Sequence, residues 1–344
     1  MTIVGRLPIE LISNLSFFQR HRWEVWRGIG ISFLRSFQAI NRAPWFLNLT
    51  PPTGVCIRDS CSQQGWTHGS HVLSNASGPD AVIHEIVLNE AATAAPVVVY
   101  FHGGGYHNAL VKQAHVPGAY EIGTQLRASS VFLLEYTLTP GAKYPTQLQQ
   151  AVLAWNYLLN EREIVPARIL LGGDSAGGHL ALTLLAHGMQ PCPGVTPMAQ
   201  LGPDENRLKG LLLISPWPNM RADVPSFRMF EHIDMINIEG VHDFIDLYGP
   251  RLGEVWAEPL AADRSFWANL PVENLLVTCG NAECLRDSIV ELFDGLKAAE
   301  ENGARCDLIL AEGEIHVHSA LDYVLGIGPC ESRRGIIDWV RRLS

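Results

Sequence analysis

Short runs of β-branched and apolar residues alternate with stretches of helical spacing along most of the chain beyond residue 95. This alternation is typical of strand–helix–strand units, in which helices cover a largely parallel sheet. Six of these runs are predicted as strands, at 97–101, 131–136, 169–172, 211–214, 275–279 and 306–310. Helical spacing is found at 147–159, 179–187, 285–299 and 336–343. The pattern therefore predicts an α/β protein.

The composition is that of a packed globular chain. Its 344 residues fit one large α/β domain with an insertion, or about two domains. Hydrophobic residues make up 47% and charged residues 17%, and this charged share lies below the usual ~25%, which argues against a disordered chain. Lys and Arg number 25 against 35 Asp and Glu, so the net charge is −10. Because an acidic chain without a basic stripe repels polyphosphate, we expect no nucleic-acid partner.

Cysteine usage and hydropathy bear on the compartment. The seven cysteines are scattered and none forms a C-x-x-C pair, so neither a disulfide framework nor a zinc site is indicated, and we expect a reducing, cytoplasmic compartment. An apolar patch at 11–18 is followed by no small-residue cleavage site and does not predict a secretory signal. No run of about eighteen apolar residues occurs, so we expect no transmembrane span.

Residues 1–50 have helical spacing, with aromatic residues at three- and four-residue steps. We interpret this segment as a helical cap over a hydrophobic pocket. Two alternatives stay open, a terminal helix pair packed on a core and a peripheral contact with a membrane. Residues 51–344 are assigned to the main domain, which carries a second cap segment inserted at about 218–265. Within it, residues 51–95 are predicted to be turn-rich around one strand at 82–88.

Residues 173–178 read GDSAGG and lie between a strand-like run and a stretch of helical spacing. A G-x-S-x-G sequence in this context is typical of a nucleophile elbow, since its glycines leave no Cβ where the backbone bends sharply. Such a turn would lift the Ser175 hydroxyl above the sheet edge, at the N-terminus of the next helix. We therefore predict Ser175 as a nucleophile. The alternative is that Gly177 and Gly178 only allow close packing.

Residues 102–106 read HGGGY and directly follow the predicted strand at 97–101. Consecutive glycines at this place let backbone N–H groups face a cavity, which is what an oxyanion hole requires. We predict Gly104, Gly105 and Ala176 as the donors. A flexible turn without a ligand is the alternative, and a phosphate-binding P-loop is disfavoured because its Lys-Ser/Thr ending is missing.

The two glycine motifs resemble those of the hormone-sensitive-lipase-like branch of the α/β-hydrolases, particularly its fungal esterase-like members. The resemblance covers most of the chain from about residue 95 and includes EYTLTP at 135–140, YP at 144–145, SPW at 215–217 and the segment 280–287. It implies an α/β-hydrolase fold, with a mostly parallel eight-stranded sheet flanked by helices and a helical cap. It also implies a triad of Ser, acid and His in that chain order. Supporting positions near the nucleophile are His102, Gly103, Tyr106 and Asp174.

Two of the thirteen histidines, His316 and His318, lie downstream of every plausible acid. The family pattern places the catalytic imidazole before a short apolar residue, which favours His316 in the sequence EIHVH. His318 is the alternate, and would otherwise line the pocket or form a hydrogen bond with a neighbour.

For the acid, the family has an aspartate, then one or two residues, then Leu-Arg-Asp, where this chain reads NAECLRD at 281–287. Glu283 matches the aspartate position with one more methylene. Glutamate occurs as the third triad member in this fold, so Glu283 is predicted as the acid. Asp287 is the alternate, and its other interpretation is a first-turn charge that favours the dipole of the helix at 285–299.

From these residues we expect a serine esterase that needs no metal or organic cofactor. Its substrate would be the carboxylic ester or acetyl group of a moderately hydrophobic small molecule, and the fungal character of the resemblance suggests secondary metabolism. A lyase or cyclisation catalyst on the same scaffold is an alternative, since an oxyanion hole and a base can also eliminate or rearrange. A non-catalytic ligand-binding receptor is a third, and a homodimeric state is left open.

Overall fold

One sheet of eight strands forms the centre of the computed structural model, which describes residues 3–38, 51–76, 78–199, 201–202 and 206–344. The strands are β1 (Thr67–Leu73), β2 (Ala81–Val87), β3 (Val97–Phe101), β4 (Ser130–Glu135), β5 (Ile169–Asp174), β6 (Gly210–Ile214), β7 (Asn274–Gly280) and β8 (Arg305–Ala311). Their order is β1-β2-β4-β3-β5-β6-β7-β8. The pairs that involve β1 with β2 and β2 with β4 are antiparallel, and the other five are parallel.

Helices cover both faces of the sheet. Along β3, Val97 and Val99 belong to the core on one face, where the helices at 146–156, 176–189 and 286–296 pack, and Val98 and Tyr100 belong to the core on the other, with the helices at 53–64, 115–125 and 331–342. A strand buried on both faces needs apolar side chains at every position, which is why the central strands are continuous apolar runs. The helices are α1 (Ile3–Arg20), α2 (Val25–Gln38), α3 (Thr53–Gln64), α4 (His115–Gln125), α5 (Thr146–Asn156), α6 (Ala176–Met189), α7 (Pro225–Phe230), α8 (Ile238–Tyr248), α9 (Arg264–Trp267), α10 (Arg286–Leu296), α11 (Ser319–Leu325) and α12 (Glu331–Arg342).

The predicted fold class, α/β with a mostly parallel eight-stranded sheet and flanking helices, is confirmed, and all seven predicted strands are present within one or two residues of their bounds. The interpretation of residues 51–95 as turns around one strand was wrong, because α3 and β1 lie there as well. In α3 the apolar residues are few, and β1 is an edge strand whose side chains are mostly exposed. Neither element therefore produces the apolar periodicity on which the prediction relied.

The two segments interpreted as caps contain helices. Residues 1–50 include α1 and α2, while residues 1–2 and 39–50 of that interpretation lie outside the described residues. The segment at about 218–265 includes α7 and α8. In the described parts of the chain, none of the helices combines the length and hydropathy that crossing a bilayer demands.

Candidate active site

Ser175 lies at the turn between β5 and α6, with φ 51° and ψ −119°. A positive φ is uncommon for a residue that has a Cβ, and it strains the backbone. The N–H of Ser175 donates to the Ile214 carbonyl at 2.9 Å, which ties the turn to β6. Gly177 has to lack a side chain, because a Cβ there would overlap the Phe101 carbonyl oxygen. The GDSAGG sequence thus folds into a sharp strand-to-helix turn with Ser175 at its tip.

His316 lies in the loop between β8 and α11, beside Ser175. Its Nε2 is 2.9 Å from Ser175 Oγ, and its Nδ1 is 3.1 Å from Glu283 Oε1. The imidazole is buried, with 3% of the residue exposed. The residues predicted as nucleophile, base and acid therefore lie on one line of hydrogen bonds, which we call the Ser–His–Glu line.

Glu283 is fully buried in the turn between β7 and α10. Its Oε2 accepts hydrogen bonds from the Ser215 hydroxyl at 2.7 Å and from the Gly280 N–H at 2.8 Å, while Oε1 faces His316. Ser215 Oγ in turn accepts from the Val317 N–H at 3.2 Å. The longer side chain of glutamate thus reaches the imidazole, and both of its oxygens have partners.

The charges around His316 favour its protonated form. Burial alone lowers the pKa of an imidazole, because a low dielectric disfavours the cation. The hydrogen bond with Glu283 and the negative charges of Glu283, Asp234 and Asp174 outweigh burial, so the pKa of His316 lies above its usual 6.5. A buried imidazole of raised pKa is a stronger proton acceptor than a solvated one.

The two alternates lie away from this line. Asp287 pairs with Arg286 at 2.8 Å and accepts from the Ser226 N–H at 2.9 Å. His318 packs edge-on against the Trp23 ring with centroids 4.8 Å apart, and burial lowers its pKa to about 3. Among the described residues, neither side chain has a hydrogen bond to any member of the Ser–His–Glu line.

The HGGGY segment forms a tight turn after β3. Gly104 and Gly105 have φ values of 117° and 61°, which glycine adopts without steric cost. The Gly103 N–H donates to Asp174 at 3.1 Å, whereas those of Gly104 and Gly105 donate to no acceptor within the described ranges. Ala176 begins α6, and the first N–H groups of a helix have no intrahelical acceptor. The amides of Gly104 and Gly105 therefore have no acceptor among the described residues.

Two of the predicted supporting residues, His102 and Tyr106, are buried around that turn. His102 Nδ1 donates to the Gly103 carbonyl at 2.7 Å, and burial lowers the pKa of His102 to about 4, so the ring is neutral. Tyr106 has φ 58°, and its hydroxyl is 2.6 Å from Nδ1 of His179. Both side chains thus fix the backbone of the glycine turn rather than face the nucleophile.

Asp174 connects the elbow with the glycine turn. Its Oδ1 accepts from the Tyr100 hydroxyl at 2.9 Å as well as from Gly103, and its Oδ2 is 3.2 Å from His115 Nε2. His115 Nδ1 accepts from the Val111 N–H, so Nε2 holds the proton and donates. Burial raises the pKa of Asp174, but His115 and the hydrogen bonds outweigh it and hold the pKa below its usual value. Asp174 is therefore an ionised structural partner.

Sequence reasoning gave no role to two residues that contact the Ser–His–Glu line, although one of them, Ser215, lies in the SPW segment of the resemblance. Ser215 binds the Glu283 carboxylate, and the signal that could have identified it is a polar residue directly after the buried strand β6, at the edge where Ser175 lies. Asp234 accepts from the His316 N–H at 3.0 Å. It lies in the insertion, between α7 and α8, where no sequence pattern indicated a buried acid.

The insertion also covers the glycine turn. The ring of Phe244, in α8, lies 2.6 Å from where a Cβ of Gly105 would be. Tyr248, one turn further along α8, stacks on Tyr106 with ring centroids 4.3 Å apart. The Phe244 ring therefore lies beside Gly105, whereas Tyr248 packs against the buried Tyr106.

Known proteins are similar to this chain in sequence and in fold. Residues 98–319, more than half of the chain, match the family described as alpha/beta hydrolase fold. An esterase of Fusarium pseudograminearum is 25% identical over 71% of this chain and 71% of its own length. Human hormone-sensitive lipase is 28% identical over 37% of this chain, a match that spans 12% of that relative. The crystal structure of carboxyl esterase 2 from Tuber melanosporum superposes with a TM-score of 0.67 at 22% identity, over 81% of this chain and 87% of the other.

The predicted resemblance to hormone-sensitive lipase and fungal esterases is thus confirmed. The sheet order, the strand–turn–helix at Ser175 and the matched region agree with one another. The chain belongs to the α/β-hydrolase fold family.

Proposed function

We propose that this chain is a serine hydrolase that cleaves the carboxylic ester or acetyl group of a moderately hydrophobic small molecule. The observation that carries the proposal is the Ser–His–Glu line, with 2.9 Å from Ser175 Oγ to His316 Nε2 and 3.1 Å from His316 Nδ1 to Glu283 Oε1. A hydroxyl in contact with a base that a third group orients has the geometry of an activated nucleophile. The names of the relatives, an esterase and a hormone-sensitive lipase, support the same reaction class.

In the acylation step, Ser175 Oγ attacks the carbonyl carbon of the ester while its proton passes to His316 Nε2. Glu283 holds the Nδ1–H tautomer and stabilises the imidazolium. The negative oxygen that forms would face the free N–H groups of Gly104, Gly105 and Ala176. His316 then gives its proton to the leaving alcohol oxygen, the carbon–oxygen bond breaks, and the acyl group stays on the serine.

The second step releases the acid. Water attacks the acyl carbon, and His316 takes its proton as it took that of Ser175. The bond to the serine oxygen breaks, the proton returns to Ser175, and the carboxylic acid leaves. The atoms balance with one water consumed per ester.

The surroundings of the glycine turn favour an apolar substrate. The half-buried ring of Phe244 lies beside Gly105, whose amide would face a bound carbonyl. Apolar and aromatic linings with few polar groups are usual in small-molecule sites. A role in secondary metabolism is the narrower form of this proposal. Profiling of metabolites after deletion of the gene tests it, because the ester that the enzyme would have hydrolysed should then accumulate.

The substitution Ser175→Ala tests the nucleophile. We expect turnover of p-nitrophenyl acetate to fall by about 10⁴-fold or more, because the base then has no hydroxyl to activate. A fluorophosphonate probe should label the wild type at one site and the variant at none. Ser265→Ala, which removes an exposed hydroxyl, serves as the control and should behave as the wild type. Hydrolysis or labelling that survives in Ser175→Ala would contradict the proposal.

Hydrolysis in ¹⁸O-labelled water separates the esterase from a lyase or cyclisation catalyst. One ¹⁸O atom should appear in the acid product, since water attacks the acyl carbon. An unlabelled product would favour elimination or rearrangement on the same scaffold.

A further inference from the structure

A second carboxylate, that of Asp234, lies beside the Ser–His–Glu line and is fully buried. Its Oδ1 accepts from the His316 N–H at 3.0 Å and from the Met235 N–H at 2.6 Å. Its Oδ2 accepts from the Cys284 N–H at 2.6 Å. Cys284 follows Glu283 directly, so one carboxylate binds the loop of the base and the loop of the acid at the same time.

Asp234 also joins the insertion to the N-terminal helices. Arg35 of α2 donates to the backbone carbonyl of Asp234 and, at 2.8 Å, to that of Glu231. Arg35 Nε is in turn paired with Glu10 of α1 at 2.8 Å. Both segments interpreted as caps therefore meet at the residue that binds the two loops.

Three backbone N–H groups donate to the Asp234 carboxylate. No Lys or Arg side chain reaches its oxygens in the described parts of the chain. Burial raises the pKa of Asp234 to about 6. The negative charge of Glu283 also raises it, whereas His316 and the hydrogen bonds from the backbone amides lower it. The group is still ionised at neutral pH. A buried anion without a cationic partner costs stability, and a neutral amide or hydroxyl could accept one of these hydrogen bonds without that cost.

The negative charge of Asp234 also acts on the His316 imidazole. Glu283 faces the imidazole, and Asp234 and Asp174 add two further negative charges near it. Each anion stabilises the cation that the imidazole becomes when it accepts a proton. The carboxylate of Asp234 thus binds the two loops and also stabilises the imidazolium. An uncharged residue could do only the first.

We propose that Asp234 is a positioning residue for the reaction proposed above. Its carboxylate holds the loops of His316 and Glu283 in register, and its charge adds to that of Glu283 in stabilising the imidazolium. The significance for catalysis rests on the proposed function, but the interaction with His316 is a property of the free protein and can be measured without a substrate.

The test is a pH titration of the His316 ring by ¹⁵N NMR, on the full chain labelled at histidine. The resonance is assigned by its loss in His316→Gln. In Asp234→Asn, and in the smaller neutral variant Asp234→Ser, we expect the pKa of His316 to fall by about one pH unit. For p-nitrophenyl acetate, the acidic limb of kcat/KM should move to lower pH by the same amount. We also expect kcat to fall roughly 10- to 100-fold at nearly constant KM, because the base is less well placed.

Asp322→Asn is the matched control. Asp322 is also buried and also accepts from a backbone N–H, that of Cys330 at 2.8 Å, but it pairs with Arg27 and does not contact His316. This variant should lose stability and leave the pKa of His316 unchanged.

An unchanged pKa of His316 in both neutral variants would overturn the proposal. So would an equal fall in Asp322→Asn, since the shift would then reflect general loosening. Failure of both neutral variants to fold would overturn it too, because Asp234 would be a fold determinant instead. If the wild type hydrolyses no ester, the proposed function fails, whereas the titration still decides the role of Asp234.

Discussion

The carboxylate of Glu283 faces the imidazole at 3.1 Å and has the Ser215 hydroxyl and the Gly280 N–H on its other oxygen. Glu283→Gln keeps this shape and removes the charge. An amide that donates where the carboxylate accepted favours the wrong imidazole tautomer, so we expect kcat to fall by about 10³- to 10⁴-fold. Steady-state kinetics with p-nitrophenyl acetate at a pH where wild-type kcat is constant measures the effect.

The same exchange at Asp287 distinguishes the two candidate acids. Asp287→Asn loses part of its pairing with Arg286 at 2.8 Å, on a half-exposed side of the α10 N-terminus. We expect kcat within about threefold of the wild type, since surface ion pairs contribute little. A reversal, with Asp287→Asn inactive and Glu283→Gln active, would move the acid to the alternate position.

Site residues could be predicted where they lie in a recognisable stretch of sequence, but not where they are defined by contacts between residues far apart in the chain. Ser175 was predicted because it lies in a local motif whose geometry has a chemical meaning, whereas Glu283 and His316 were predicted from the resemblance of their segments to the family pattern. Asp234 has no such local signal, since its partners are the N–H groups of residues 284 and 316. A contact of that kind arises only when the insertion folds onto the sheet, and composition or periodicity does not contain it.

At the scale of the elements, the junction of β5 and α6 leaves no room for a side chain at Gly177. A Cβ at Gly177 would overlap backbone atoms of residues 101 and 102, which have no rotamer to change. We expect Gly177→Ala to lower the free energy of unfolding by about 3 kcal/mol, as overpacking does when nothing can move aside. Urea denaturation followed by circular dichroism measures the loss.

Gly295→Ala supplies the contrasting case within α10. A Cβ there would lie 3.6 Å from the Trp267 ring, an ordinary contact. Alanine has the higher helix propensity, so we expect a gain of roughly 0.5–1 kcal/mol. A loss in Gly295→Ala comparable to that in Gly177→Ala would show that backbone proximity does not explain the difference.

Elements were predictable where burial imposes a pattern. The central strands β3 to β7 are buried on both faces, so their apolar runs stand out from the surrounding sequence. The edge strand β1 has one neighbour and mostly exposed side chains, and α4 contains Pro117 and Gly118, which weaken its helical signal. Tertiary contacts override local preference in such elements.

At the scale of the whole molecule, the N-terminal helical segment is tied to the loop of His316 and to α11. Arg27 pairs with the buried carboxylate of Asp322 at 2.7 Å, and Trp23 Nε1 donates to the Gly313 carbonyl at 2.9 Å. Arg27→Met leaves Asp322 without its cation. We expect a loss of about 3 kcal/mol in the free energy of unfolding, because an unpaired charge then stays buried.

The exposed pair of Arg221 and Asp223 provides the reference, with both side chains more than half exposed. Arg221→Met should leave the urea midpoint unchanged, since solvent screens such a pair. If Arg27→Met also leaves the urea midpoint unchanged, the N-terminal helices do not depend on the Arg27–Asp322 ion pair for their attachment.

The backbone at Ser175 has a consequence for how this chain can change over generations. Its φ of 51° is tolerated best by glycine, so replacing that serine with glycine would relax the turn and make the protein more durable. The one exchange that relieves the turn deletes the hydroxyl on which the proposed chemistry depends. Selection for stability and selection for catalytic activity therefore oppose each other at position 175, and the strained conformation is retained only while the activity is required.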